Sequence, residues 1–161
     1  EAPAGRMELV ESKTGVRGIV DYAHTPDALE NVLKTLREIA GSGVKIITVV
    51  GCGGDRATSK RPIMGKIAYE LSDFVIFTSD NPRSEDPDQI LDDITRDLPT
   101  NIYKYERESD RTKAIATAFQ RAVAGDIILL AGKGHEDYQI LKTDKIHFSD
   151  KEELKKFCKT G

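Results

Sequence analysis

The sequence predicts an α/β domain, a doubly wound and mostly parallel sheet of about six strands with helices on both faces. The first observation is a set of short, almost unbroken apolar runs, Val44 to Val50, Phe74 to Thr78 and Ile127 to Ala131, in which Lys45 is the only charge. Strands covered on both faces read this way, whereas a half-exposed strand alternates. The second is that segments with helical apolar spacing separate these runs, which is the rhythm of βαβ units.

In chain order, Glu1 to Gly5 is small and loop-like and reads as the end of an interdomain linker. Arg6 to Val10 is strand-like. After a turn at Lys13-Thr14-Gly15, Val16 to Val20 makes a short strand. Thr25, Pro26 and Asp27 then open a helix whose Leu29, Val32, Leu33, Leu36, Ile39 and Ala40 lie on one stripe, stopped by Gly41 and Gly43. The strand Val44 to Val50 leads to a helix over Lys60 to Leu71, with Pro62 in its first turn. The strand Phe74 to Thr78 leads to a helix over Asp86 to Leu98. A strand at Ile102 to Tyr105, a helix from Asp110 to Val123 and the strand Ile127 to Ala131 follow. Tyr138 to Leu141 and Lys145 to Phe148 form a hairpin around Thr143-Asp144, and Asp150 caps a last helix running to about Lys159.

The 161 residues suit one domain with a real core, and 39% hydrophobic with 32% charged content is that of a globular protein. A net charge of −3 with scattered basic residues argues against nucleic acid as a partner. No apolar run approaches the ~20 residues that span a bilayer, so no membrane partner is expected. Cys52 and Cys158 lie far apart without metal-ligand spacing, which predicts neither a zinc site nor a disulfide and fits a reducing cytoplasm. A monomer is expected.

In doubly wound sheets, ligands bind at the carboxyl ends of the strands. Polar motifs stand there after four of the predicted strands: Asp21 to Pro26, Gly51 to Arg56, Asp80 to Arg83 and Gly132 to Glu136. In Asp80-Asn81-Pro82-Arg83 the proline stiffens the turn, the guanidinium offers a planar fork for a carboxylate, and Asp80 and Asn81 can take an ammonium. Gly51-Cys52-Gly53-Gly54 lacks the spacing of a dinucleotide or phosphate loop. Its glycines serve either a tight turn at positive φ or a close backbone approach to a ligand, with Arg56 reaching an anion. In Gly132-Lys133-Gly134-His135-Glu136 a flexible backbone precedes a carboxylate suited to an ammonium. His135 reads as a supporting residue, because no nucleophile stands beside it. No residue is assigned a catalytic role and no metal ligands are assigned. The site binds and orients, as ligation between two bound substrates requires.

Taken together, Asp21-Tyr22-Ala23-His24-Thr25-Pro26, Gly51 to Arg56 with Lys60-Arg61-Pro62, Asp80-Asn81-Pro82-Arg83 and Gly132 to Glu136 resemble the C-terminal domain of the Mur ligases, over essentially the whole chain. The likeness is greatest to the branch that adds meso-diaminopimelate to UDP-MurNAc-L-Ala-D-Glu in peptidoglycan synthesis. The resemblance implies a Rossmann-like fold and places Arg56, Asp80, Asn81, Arg83, Gly132 and Glu136 on the incoming amino acid, with Arg83 on its distal carboxylate. It implies that Arg6 reaches ATP and that Asp21 and His24 lie on the nucleotide side. ATP and magnesium would be bound mainly by a preceding central ATPase domain. A UDP-sugar domain would come before that one, and both are expected to lie outside residues 1–161. The alternatives are an L-lysine-adding ligase of the same branch, a folylpolyglutamate synthetase-type ligase domain, or a small-molecule-binding module without ATP chemistry. The Asp80 to Arg83 motif favours the first reading, because the likeness to the folate enzymes does not extend to it.

Overall fold

The computed structural model describes residues 6–160, with side chains as far as 157. The linker reading of 1–5 and the Cys158 side chain lie outside the described residues. The elements are β1 (Glu8–Glu11), β2 (Arg17–Asp21), α1 (Pro26–Ala40), β3 (Ile46–Val50), α2 (Lys60–Leu71), β4 (Phe74–Phe77), α3 (Pro87–Thr95), β5 (Tyr105–Arg107), α4 (Arg111–Arg121), β6 (Ile127–Ala131), β7 (Tyr138–Ile140), β8 (Lys145–His147) and α5 (Asp150–Thr160).

Six strands form the main sheet in the order β1-β2-β6-β3-β4-β5, and β7 and β8 form a separate hairpin. Only β1 pairs antiparallel; β2 with β6, β6 with β3, β3 with β4 and β4 with β5 are all parallel. Successive side chains of a strand point to opposite faces, so each inner strand feeds two cores. On one face Ile46, Val50, Val75, Phe77, Ile127 and Leu129 pack against α1, α2 and α3. On the other, Ile47, Val49, Phe74, Ile76, Ile128 and Leu130 pack against α4 and α5. This double duty explains why the three runs carry no polar alternation.

Thr25 caps α1 by accepting from Ala28 N at 3.2 Å, with Pro26 in the first turn. Asp86 and Asp110 cap α3 and α4 through their carboxylates. Two expectations are corrected. The strand placed at Ile102 to Tyr105 begins only at Tyr105, because Asn101 builds a turn: its Oδ1 accepts from Tyr103 N, and its carbonyl accepts from Lys104 N and Tyr105 N. Ile102 and Tyr103 are therefore solvent-exposed, while Tyr105 meets Phe77 and Tyr69 edge-on. Asp150 is not the cap of α5. Ser149 Oγ accepts from Glu152 N, and the Asp150 carboxylate instead takes a two-pronged bond from Arg111 at 2.8 and 2.7 Å.

Candidate functional site

The strand order brings the ends of β2, β6, β3 and β4 side by side, and with them all four polar motifs. They surround a cavity of about 400 Å³ lined by His24, Arg56, Asp80, Asn81, Arg83, Gly132 and Glu136, among others. Arg6 and Asp21 lie outside that lining.

The loop after β4 is held from two sides. Asn81 is buried; its backbone carbonyl accepts from Gly54 N at 2.8 Å, and its side-chain Oδ1 accepts from Ile140 N and Lys133 Nζ, each at 3.0 Å. Arg83 sits at φ +53°, a left-handed conformation uncommon for a residue with a Cβ. Its backbone N–H donates to Ile140 O at 3.0 Å and its Nη1 to Gly54 O at 3.0 Å, so the guanidinium lies along the glycine loop. Gln139 Nε2 donates to Asp80 O at 2.9 Å. The β7 strand thus stitches down three of the motif's four residues, Asp80, Asn81 and Arg83.

The glycine loop after β3 is explained by close approach between loops. Gly51 and Gly54 do not adopt positive φ, contrary to the tight-turn reading. A Cβ on Gly51 would stand 2.1 Å from Thr78 O, and one on Gly54 would stand 1.8 Å from Pro82 O, so only glycine lets the two loops lie together. Asp55 continues the contact by accepting from Ser84 N and Oγ, which holds its carboxyl below the usual range. Arg56 is exposed, with Nη1 donating to Asp55 O. Arg61, on the first turn of α2, is 1% exposed and binds Glu85, Asp93 and Gly53 O.

After β6, Gly132 turns at φ +113° and would put a Cβ 3.7 Å from Asp80 Oδ2. Lys133 is fully buried beneath the site, and Glu136 closes the loop. Burial and the neighbouring Asp80 raise the Glu136 carboxyl above its ordinary value, with Lys133 opposing them. Asp80 Oδ1 and Glu136 Oε1 are buried, with the Lys133 ammonium beside them at 3.2 and 3.8 Å.

On the β2 side, Tyr22 and His24 line the cavity, ring to ring at 4.7 Å, and Arg6 stands over the Tyr22 ring at 5.8 Å. Asp21 is buried with both carboxylate oxygens engaged, Oδ1 by Met7 N and Oδ2 by Ala23 N, each at 2.8 Å. It therefore fixes the entry segment that carries Arg6. Among the described residues no group of three or more His, Cys, Asp or Glu is placed to hold a metal ion.

Sequence reasoning missed the buried cations that organise the site. Lys133 and Arg61 stand inside quoted motifs, but their burial follows from contacts 52 and 24 residues away, which leave no local pattern. Arg111 is likewise buried, bridging Ser79 O and Ala131 O under the β4 and β6 loops. The arrangement is a cavity lined by the Asp80 and Glu136 carboxylates and the Arg56 and Arg83 guanidiniums, with no nucleophile and base in contact among the described residues. Carboxylates can accept from an ammonium, and planar guanidiniums can donate to a carboxylate.

A family model described as Mur ligase, glutamate ligase domain, matches residues 5–134. The UDP-N-acetylmuramoyl-L-alanyl-D-glutamate--2,6-diaminopimelate ligase of Parabacteroides distasonis is 51% identical over 162 residues, covering 98% of this chain and 32% of that protein. The ligase of the same name from Trichormus variabilis is 55% identical over 150 residues, covering 92% and 30%. A solved structure of a ligase so named superposes with a TM-score of 0.90 at 42% identity, covering 99% of this chain and 32% of that one. The bifunctional folylpolyglutamate synthase/dihydrofolate synthase of Yersinia pestis shares the fold, with a TM-score of 0.61 at 21% identity over 81% of this chain and 28% of its own. The chain spans about a third of the length of the curated relatives it matches.

Proposed function

The chain belongs to the Mur ligase family, through its glutamate ligase domain, and from that premise we propose that it is the amino-acid-binding part of an ATP-dependent ligase that adds meso-diaminopimelate to UDP-MurNAc-L-Ala-D-Glu. The observation that carries this is that one cavity is lined by the Asp80 and Glu136 carboxylates together with the Arg56 and Arg83 guanidiniums. A diaminopimelate molecule presents ammonium groups for the first set and carboxylates for the second. Planar guanidinium forks suit carboxylates, and carboxylate oxygens suit ammonium.

In the reaction, ATP phosphorylates the carboxylate of the UDP-MurNAc-dipeptide, and the amino group of the incoming amino acid displaces phosphate to form the amide, leaving ADP. This chain's share is to hold that amino group in line and to keep the distal end of the amino acid in place. Arg83 takes the distal carboxylate, Asp80 and Glu136 the ammonium side, and Gly132 lets the backbone come close. The face of Tyr22, with Arg6 and His24 beside it, is the nucleotide-side rim, and Asp21 acts there by fixing Met7 and hence Arg6. Proximity and charge neutralisation of this kind account for much of the barrier lowering in such ligations.

The test is amide formation by the full-length protein with meso-diaminopimelate, L-lysine and L-glutamate in parallel, with calorimetric binding of each. Turnover with meso-diaminopimelate well above the other two is expected. Equal use of lysine, or use of glutamate alone, would overturn the assignment.

A further inference from the structure

Lys133 has no exposed surface, and the reaction above gives it no task. Its ammonium has three protons to place. Nζ donates to Tyr138 O at 2.8 Å and to Asn81 Oδ1 at 3.0 Å, and it stands 3.2 Å from Asp80 Oδ1 and 3.8 Å from Glu136 Oε1. Three side chains of the cavity wall are thus gathered on one buried cation.

The consequence for Asn81 is a fixed orientation. Its Oδ1 accepts from two donors, Lys133 Nζ and Ile140 N, which uses the whole acceptor capacity of the amide. Only the Nδ2 protons remain for the cavity, and the Asn81 side chain stabilises the Glu136 carboxylate on that side. Without the lysine the amide could turn over and offer an oxygen instead. Asp80 and Glu136 would also face each other without a cation between them, in a setting where like charges repel strongly.

We propose that Lys133 is a positioning residue for amino-acid selection: it locks the Asn81 amide so that only N–H donors face the ligand, and it gathers the Asp80 and Glu136 carboxylates side by side on one cation. The inference rests on the reading of the cavity as an amino-acid site. Lys133 itself does not touch the amino acid; it decides which polarity each neighbouring group shows to it.

The experiment is steady-state kinetics of the full-length enzyme carrying Lys133→Met, which keeps an unbranched side chain one atom shorter and removes its charge. The KM for meso-diaminopimelate should rise about 10- to 100-fold, as loss of a charge-assisted contact predicts. The KM values for ATP and for the UDP-sugar substrate should stay within about threefold of wild type, a split that general loosening of the fold would not give. An unchanged amino-acid KM, or an equal rise for all three substrates, would overturn the proposal. If Lys133→Met fails to fold, Asn81→Asp decides. That variant keeps the oxygen that Lys133 and Ile140 N hold but replaces the cavity-facing donor by an acceptor. It should fold and show the same selective rise in KM, and a wild-type KM would overturn the proposal. Wild-type enzyme that does not join meso-diaminopimelate would instead overturn the amino-acid reading of the cavity, and this inference with it.

Discussion

Arg83 carries its guanidinium on a strained backbone, and the strain is held by its neighbours: Ile140 O takes its N–H, and Gly54 O takes its Nη1. Left-handed geometry at a residue with a side chain costs about 1–3 kcal/mol and persists only where surrounding contacts enforce it. The payoff is direction, since the fork is aimed along the wall of the cavity. Meso-diaminopimelate and lysine differ by one carboxylate at the far end, so Arg83→Ala in the full-length enzyme should lower kcat/KM for diaminopimelate by about 10- to 100-fold. Lysine use should change little. Equal losses for both amino acids would remove the discriminating role given to this arginine. The residue's place at the site was legible in the sequence only together with the three other polar motifs at the strand ends, because an Asp-Asn-Pro-Arg turn alone also fits an ordinary strand-to-helix loop. Its backbone conformation was not, because β7, which enforces it, lies far along the chain.

At the scale of elements, buried ion pairs join what the sheet alone does not. Arg111 at the start of α4 binds Asp150 at the start of α5, both fully shielded from solvent, and also reaches the carbonyls of Ser79 and Ala131. Removing one partner of such a pair strands the other. Asp150→Ala should therefore lower unfolding free energy by about 3–5 kcal/mol in a denaturant titration, whereas Arg111→Met with Asp150→Leu should cost much less. Similar losses for both would mean that the packing, rather than the stranded charge, sets the effect. On the opposite rim, Asp73 joins α1 to β3 by accepting from Arg37 Nη2 at 2.6 Å and Ile46 N at 2.7 Å. Burial pushes its carboxyl up, but the Arg37 bond, the Ile46 N–H and Lys104 outweigh that and hold it below the ordinary value. A carboxyl with a depressed folded-state pKa contributes stability that is present above its unfolded value, near ~3.9, and is lost as pH falls through the folded one. Asp73→Asn should accordingly flatten the acid limb of the stability curve below about pH 4, and an unaltered limb would exclude this source. Periodicity and caps located the elements well, because apolar runs and Thr, Asp or Pro at helix starts act locally. The exceptions have physical reasons. Ile102 and Tyr103 looked like a strand, but Asn101 folds them into a turn, and Asp150 looked like a cap, but Arg111 claims its carboxylate.

For the whole molecule, two continuous cores on either face of the sheet are complete within the described residues. The 161-residue chain is therefore expected to fold alone, with a cooperative thermal transition, and to release no phosphate from ATP above background. Steady phosphate release that survives Asp21→Ala would show that phosphoryl chemistry resides in this part of the protein. No helix among the described residues is long and apolar enough to cross a membrane.

The position of β6 sets a timetable. It is the last strand of the main sheet in sequence, yet it lies between β2 and β3, pairing with both. Before residues 127–131 are available, the earlier strands make two separate patches, β1 with β2 and β3 with β4 and β5. The Tyr22–His24 rim belongs to one patch and the Arg56 and Arg83 loops to the other. Before β6 forms, the packing of α1 on α2 joins the two patches, and the strand that unites them in the sheet also delivers Gly132, Lys133 and Glu136. Until β6 is in place the cavity lacks Gly132 and Glu136, with Lys133 beneath them, so its lining is completed late in the folding of this sheet.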